Sequence, residues 1–186
     1  GSAQNRSGLT RLMKALRHEA PPLDSLRERL GGATAVAFGA RRRKHLGRLV
    51  FLRALAPGLS QGAKLSGQPV GALIDAITER PGAVGDVPTG AVVFAAKADH
   101  LPARGALGPD GLLGHAGVPL TAQEAHVFVA TAERDEAKLG TSLAALAEDD
   151  RAITLDPEGD GDGRCIGTQG PMHRRGLEHV LSDVYS

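Results

Sequence analysis

Apolar residues recur along this chain in two different rhythms. Near the N-terminus Leu9, Leu12, Met13 and Leu16 fall at helical spacing, and Pro21-Pro22 stops the pattern, which predicts a short amphipathic helix. From Pro21 to Gly32 the chain mixes proline, charged residues and a closing Gly-Gly, the composition of a linker. From Ala33 to about Ala96 short apolar segments alternate with Gly- and Pro-rich turns. Thr34 to Phe38, Gly47 to Ala56, Val70 to Ile77 and Ala91 to Ala96 read as strands, and together they predict a small antiparallel β-barrel.

Ala98 to Glu124 is rich in Gly, Pro, Leu and His without a period, and reads as a connector with room for one edge strand. His126 to Ala130 is the next strand. Thr131 or Asp135 is placed to cap a helix carrying Leu139, Leu143 and Leu146 on one face and ending at Glu148-Asp149-Asp150. Ile153 to Leu155, a polar turn from Asp156 to Gly163, and Cys165 to Gly167 predict a hairpin. Pro171 suits the first position of a last helix with Leu177, Val180, Leu181 and Val184 facing inward. The order strand, helix, strand, strand, helix is a split βαβ unit of the ferredoxin-like kind without its last strand. The expected fold class is therefore mixed: a small antiparallel β-barrel over residues 33–105, then an α+β ferredoxin-like domain over residues 124–186.

With 186 residues, 41% of them apolar, the chain has material for one large domain or two small ones. Four Phe, one Tyr and no Trp leave the cores to Leu, Val, Ile and Ala, and supply few surfaces on which single-stranded nucleic acid stacks. A net charge of +1 gives no global field for a polyanion, so such a contact must come from a local cluster. The single cysteine, Cys165, excludes an internal disulfide, and the absence of a signal peptide and of a membrane-length apolar run points to the cytoplasm.

Arg41-Arg42-Arg43-Lys44-His45 is the densest charge cluster and falls between two expected strands, where it either grips phosphate oxygens or forms a solvated hairpin tip. Gly58-Leu59-Ser60-Gln61-Gly62 matches the Gly-x-Ser-x-Gly nucleophile elbow. That elbow requires a strand-to-helix turn, whereas this segment lies between strands and reads as a turn, leaving a small hydrolase using Ser60 as the rival enzyme reading. Asp156, Glu158, Asp160 and Asp162 alternate as in a calcium loop, but the position that demands a bidentate Glu is Gly167. The seven His lack the spacing of a zinc site, so no metal is expected, and His173 reads as a packing or capping residue. No GxxxxGK[ST] loop occurs.

Several stretches resemble elongation factor G and its relatives. Glu133 to Asp150 is similar to that family's "EKL…AL..LAEED" helix, and Gly167-Thr168-Gln169-Gly170-Pro171-Met172-His173 to its "GMGELH" segment. Gly47 to Arg53 with Gly58 to Gly62 resembles the barrel motif "GKLTYFRVYSGTLKAG", and Gly85-Asp86-Val87 the later "AGDI". Gly1-Ser2-Ala3, Gly8 and the helix ending at Pro21 resemble "GSA…KGV..LLDAV..YLPSP", the last guanine-contacting loop and closing helix of the GTPase domain.

The resemblance implies that residues 1–22 end a GTPase domain, with Ser2 and Ala3 as a remnant of the guanine loop, that residues 33–105 are barrel domain II, and that residues 124–186 are most of domain III. It implies a non-catalytic middle segment of a translational GTPase, docking on small-subunit ribosomal RNA and relaying the nucleotide state. The run of arginines departs from the family's usual loop at this place, and the cluster itself makes Arg41, Arg42, Arg43, Lys44 and Arg48 the candidate RNA-facing group. GTP and magnesium would belong to the parent protein, and the partners would be the ribosome and the other domains of the same chain. Around His173 this chain has Pro171, Arg174 and Arg175 in place of the family's acidic "GELHLE", which reverses the local charge and implies a divergent paralogue serving translocation, recycling or ribosome protection. A protein-interaction module pairing through the edge left by the missing strand is the remaining alternative.

Overall fold

The computed structural model describes residues 4–43, 45–75, 85–114, 120–130, 132–156 and 165–185, with residues 156, 184 and 185 described by their backbone alone. Helix α1 (Leu9–Glu19) forms where the apolar stripe predicts it, yet none of its residues is buried. The expected linker contains a second helix, α2 (Leu23–Arg29). Pro22 holds the extended backbone at its N-cap, and Leu23, Leu26 and Leu30 pack on Ala33, Leu55 and Ala106. Proline and charge suggested a linker, but the leucines had helical spacing and a surface to bury against.

Eight strands follow: β1 (Ala35–Arg43), β2 (Gly47–Ala54), β3 (Lys64–Leu65), β4 (Gln68–Pro69), β5 (Leu73–Asp75), β6 (Val92–Ala96), β7 (Arg104–Leu107) and β8 (Leu112–Gly114). Six of them form one sheet in the order β5-β6-β2-β1-β7-β8, antiparallel throughout, and β3 with β4 forms a separate ribbon. Two expectations are corrected here. β1 runs on through Arg43, so Arg41, Arg42 and Arg43 are strand residues and not a hairpin tip. The connector after Ala98 holds β7 and β8, and β7 is the neighbour of β1, so the sheet extends past residue 105. Gly105 had disguised β7 as a loop. A Cβ there would run into the Leu112 side chain, and its φ of +152° is one that other residues rarely adopt.

Among the described residues no ladder joins the edge strands β5 and β8, so strand pairing does not close the expected barrel. The β3-β4 ribbon spans the gap instead. The Ser66 and Gly67 N–H groups donate to the Gly108 and Pro109 carbonyls at 2.8 and 2.9 Å, and Gly62 N–H donates to Val70 O at 2.9 Å, ahead of β5. Leu65 of the ribbon, Leu73 of β5 and Leu107 of β7 then share one core with Val50, Leu52 and Val93.

The second module comprises β9 (Glu124–Val127), a 3-10 turn (Glu133–Asp135), α3 (Glu136–Asp149), β10 (Thr154–Asp156), β11 (Cys165–Thr168) and α4 (Pro171–Tyr185). Its sheet order is β10-β11-β9 with both pairings antiparallel, the arrangement expected of a split βαβ unit. Leu143 and Leu146 of α3 and Leu177, Val180 and Leu181 of α4 bury against Ile153 and Ile166. Asp135 stands at the N-cap of α3 without a capping side-chain bond. Thr131, the acidic turn at Glu158, Asp160 and Asp162, and the Val184 side chain lie outside the described residues. The whole is a mixed α/β protein built on antiparallel sheets.

Candidate nucleic-acid interface and the contact between modules

The β1-β2 hairpin sorts its arginines by strand parity. Arg42 lies opposite Arg48, and these two point to the side that bears the core residues Val50 and Leu52. Arg41 and Arg43 lie opposite Leu49 and Gly47 and point to the other side, with Phe51.

Arg48 is 3% exposed and forms a buried junction. Its Nε donates to Asp149 Oδ1 at 2.7 Å, and its Nη1 donates to the carbonyls of Leu101 and Ala98 at 2.6 and 3.2 Å. Arg42 Nε approaches the second oxygen of Asp149 at 3.5 Å. Asp149 is the last residue of α3, where the carbonyl ends of the helix already gather negative charge and no basic side chain of the helix offsets it. The arginines of the first module supply that missing positive charge. Arg104 adds to it: burial draws its guanidinium below the ordinary value, while the Asp150 and Asp149 carboxylates act in the opposite direction.

Asp150, the next residue, ties α3 to α4. Its Oδ1 accepts the Ala152 N–H at 2.9 Å, and its Oδ2 lies 3.1 Å from His173 Nε2. Because the Gln169 N–H donates to His173 Nδ1 at 3.1 Å, Nε2 carries the ring proton toward Asp150. His173, expected from the sequence as a packing or capping residue, thus links the turn before α4 to Asp150. Between the hairpin and these helices lies a cleft of about 760 Å³ with Arg41, Arg42 and Arg43 on one wall and Asp149, Asp150 and His173 on the other.

The outward side of the hairpin has a different character. Arg41 places its guanidinium carbon 5.4 Å from the Phe51 ring centre and 5.1 Å from that of Phe94. Phe51 and Phe94 are directly opposite on β2 and β6, with centres 4.8 Å apart, and Phe38 at the β1 bulge lies 5.9 Å from Phe51. Arg43 and His45 are exposed beside them.

Of the expected RNA-facing group, Arg41 and Arg43 share the outer surface, Arg42 is partly drawn into the ion pair, and Arg48 is removed from the surface altogether. Burial against Asp149 corrects its assignment. Lys44, like Ser2 and Ala3, lies outside the described residues. Ser60 follows β2 and leads to β3 without an intervening helix, so the strand-to-helix geometry of a nucleophile elbow is not formed. Among the described residues no His, Cys, Asp and Glu cluster could hold a metal ion. Sequence reading missed the partnership of Asp149 with Arg48. The available signal was an acidic helix end, without basic residues of its own, in a chain whose densest basic cluster lies on one hairpin.

No protein-family model matches the chain, and no curated protein matches it. Among solved structures, a crystal structure of a Thermus thermophilus protein aligns with 95% of this chain at a TM-score of 0.69 and 20% identity. The chain spans 28% of the length of that structure. At this identity the likeness establishes a common fold, and the two modules recur together in it as part of a longer protein.

Proposed function

We propose that this chain is the non-catalytic middle segment of an elongation-factor-G-like translational GTPase, docking on small-subunit ribosomal RNA and relaying the nucleotide state between the domains that flank it. In this reading the six-stranded sheet with its bridging ribbon is the barrel of domain II, and the β10-β11-β9 unit is the ferredoxin-like domain III. α1 closes the GTPase domain, which would hold GTP and magnesium, and the protein acts in the cytoplasm. Among the described residues no helix is long and apolar enough to cross a membrane.

One observation carries the proposal: a buried ion pair joins the two modules. A relay must transmit displacement, and a surface-exposed pair would slip. Arg48 is held by a carboxylate of one module and two carbonyls of its own, a contact through which a displacement of α3 would reach the hairpin. Sedimentation of the chain with isolated ribosomal subunits tests the docking half. Small subunits are expected to retain it in a salt-sensitive way; equal retention by both subunits, or by neither, contradicts the reading.

A second reading, a protein-interaction module, is favoured by β9. It pairs only with β11 among the described strands, and Val127 and Val129 at this edge are 62% and 73% exposed.

A further inference from the structure

The outward face of the six-stranded sheet is divided. α2 covers one half, over Ala33, Leu55 and Ala106. The other half carries three of the four phenylalanines in a chain otherwise almost free of aromatic residues. Their clustering is not required by the main core, which lies on the opposite face and is aliphatic. Phe51 has a structural task as well, because it covers Gly39, where a Cβ would stand 3.1 Å from its ring. Phe38 has no such task and is 47% exposed.

Next to Phe94 a depression of about 350 Å³ is bounded by Arg41, Arg43, His45, Leu49 and Ile74. That volume lies within the range of small-ligand sites. Its floor is apolar and its rim is cationic, and Arg53 stands exposed two residues beyond Phe51 on the same strand face. A ring platform with guanidinium groups at its border suits a ligand that is flat and apolar in one part and anionic in another.

We infer that this face binds single-stranded RNA, with an unstacked base on Phe38 or in the depression beside Phe94 and phosphates several nucleotides apart on Arg43 and Arg53, whose backbone positions are roughly 20 Å from each other along the hairpin. Arg41 is held over the Phe51 and Phe94 rings and presents a planar cationic surface in line with them. A duplex, whose bases face one another, offers this platform only its phosphates. The choice of RNA over other strands rests on the ribosomal reading above, which by itself requires phosphate contacts and no base stacking.

The chain has no tryptophan, so Phe38→Trp introduces a unique fluorophore on the platform. An oligouridine of about 12 nucleotides, within the span that single-strand grooves accommodate, and an RNA duplex of equal length are titrated against this variant, the parent chain and Phe38→Ala. The single strand is expected to quench the Phe38→Trp emission and the duplex to leave it unchanged. Phe38→Ala is expected to weaken single-strand binding about 5- to 100-fold, with Phe38→Tyr restoring it. Equal binding of both RNAs with no loss in Phe38→Ala overturns base stacking while leaving salt-sensitive subunit binding intact. Absence of oligonucleotide binding overturns it as well. Quenching by the single strand together with no retention on small subunits preserves the platform and removes the ribosomal reading.

Discussion

Arg48 and Asp149 are 101 positions apart in sequence and meet at 2.7 Å in the interior. Such a pair need not stabilise the protein relative to an apolar one, but removing Arg48 leaves the buried Asp149 carboxylate with only the longer contact to Arg42 at 3.5 Å. Arg48→Met is expected to lower unfolding stability by about 3–5 kcal/mol, and Arg48→Met with Asp149→Leu to recover most of that loss, as measured by urea unfolding. A smaller effect concerns Asp110, whose carboxylate accepts a bond from Lys64 at 2.8 Å and is held below the usual aspartate range by that bond and by the lysine's charge. A depressed acid stabilises the fold at pH values above its unfolded pKa, and this contribution fades as pH falls through the folded one. The Asp110 carboxyl resonance should therefore titrate below that of an unpaired aspartate and return to the ordinary range in Lys64→Ala. None of these partnerships could be read from the chain, because register and parity decide which arginine of a run turns inward. Arg48 sits two residues before Val50 and three after His45, and only the pairing with Arg42 reveals that both belong to the core side.

At the scale of elements, hydrophobic period was a sound guide wherever a helix or strand buries a face in its own module. α3, α4, β2 and the β10-β11 hairpin stand where their patterns place them, and so does α1, although it buries nothing. The period failed at β7, whose four residues include the glycine that the β8 side chain of Leu112 demands, and at α2, which is too short for a period to outweigh its proline and charges. Gly71 is a second position of close approach, since a Cβ there would lie 2.7 Å from the Ala96 carbonyl oxygen. Gly71→Ala must displace backbone at the β5-β6 edge and is expected to lower the melting temperature clearly, by an amount equivalent to about 1–3 kcal/mol. α1 gives the opposite expectation. Leu12 and Met13 are each 53% exposed, and replacing both with Ser should change thermal stability by no more than about 0.5 kcal/mol per site. A large loss would mean that the helix is held by the rest of the chain.

In the molecule as a whole, a cationic, aromatic-bearing sheet is joined to a small α/β unit through the acidic end of α3. That end faces three arginines of the first module, Arg42, Arg48 and Arg104, so electrostatics and burial act together at the junction. The order of most strands and helices was legible in the sequence; the contact between the two sheets' elements was not, because it depends on where the end of α3 is carried by the connector. Arg43 and Arg53 are exposed on the outward face, and each phosphate contact they make adds about 0.9 to the slope of log affinity against log salt on a duplex and about 0.7 on a single strand. The most direct test is therefore that slope, measured by sedimentation with small ribosomal subunits for the parent chain and for Arg43→Ser with Arg53→Ser. Weaker binding and a slope lower by about 1–2 are predicted for the double variant. Identical affinity and slope in the two proteins would contradict docking through this face.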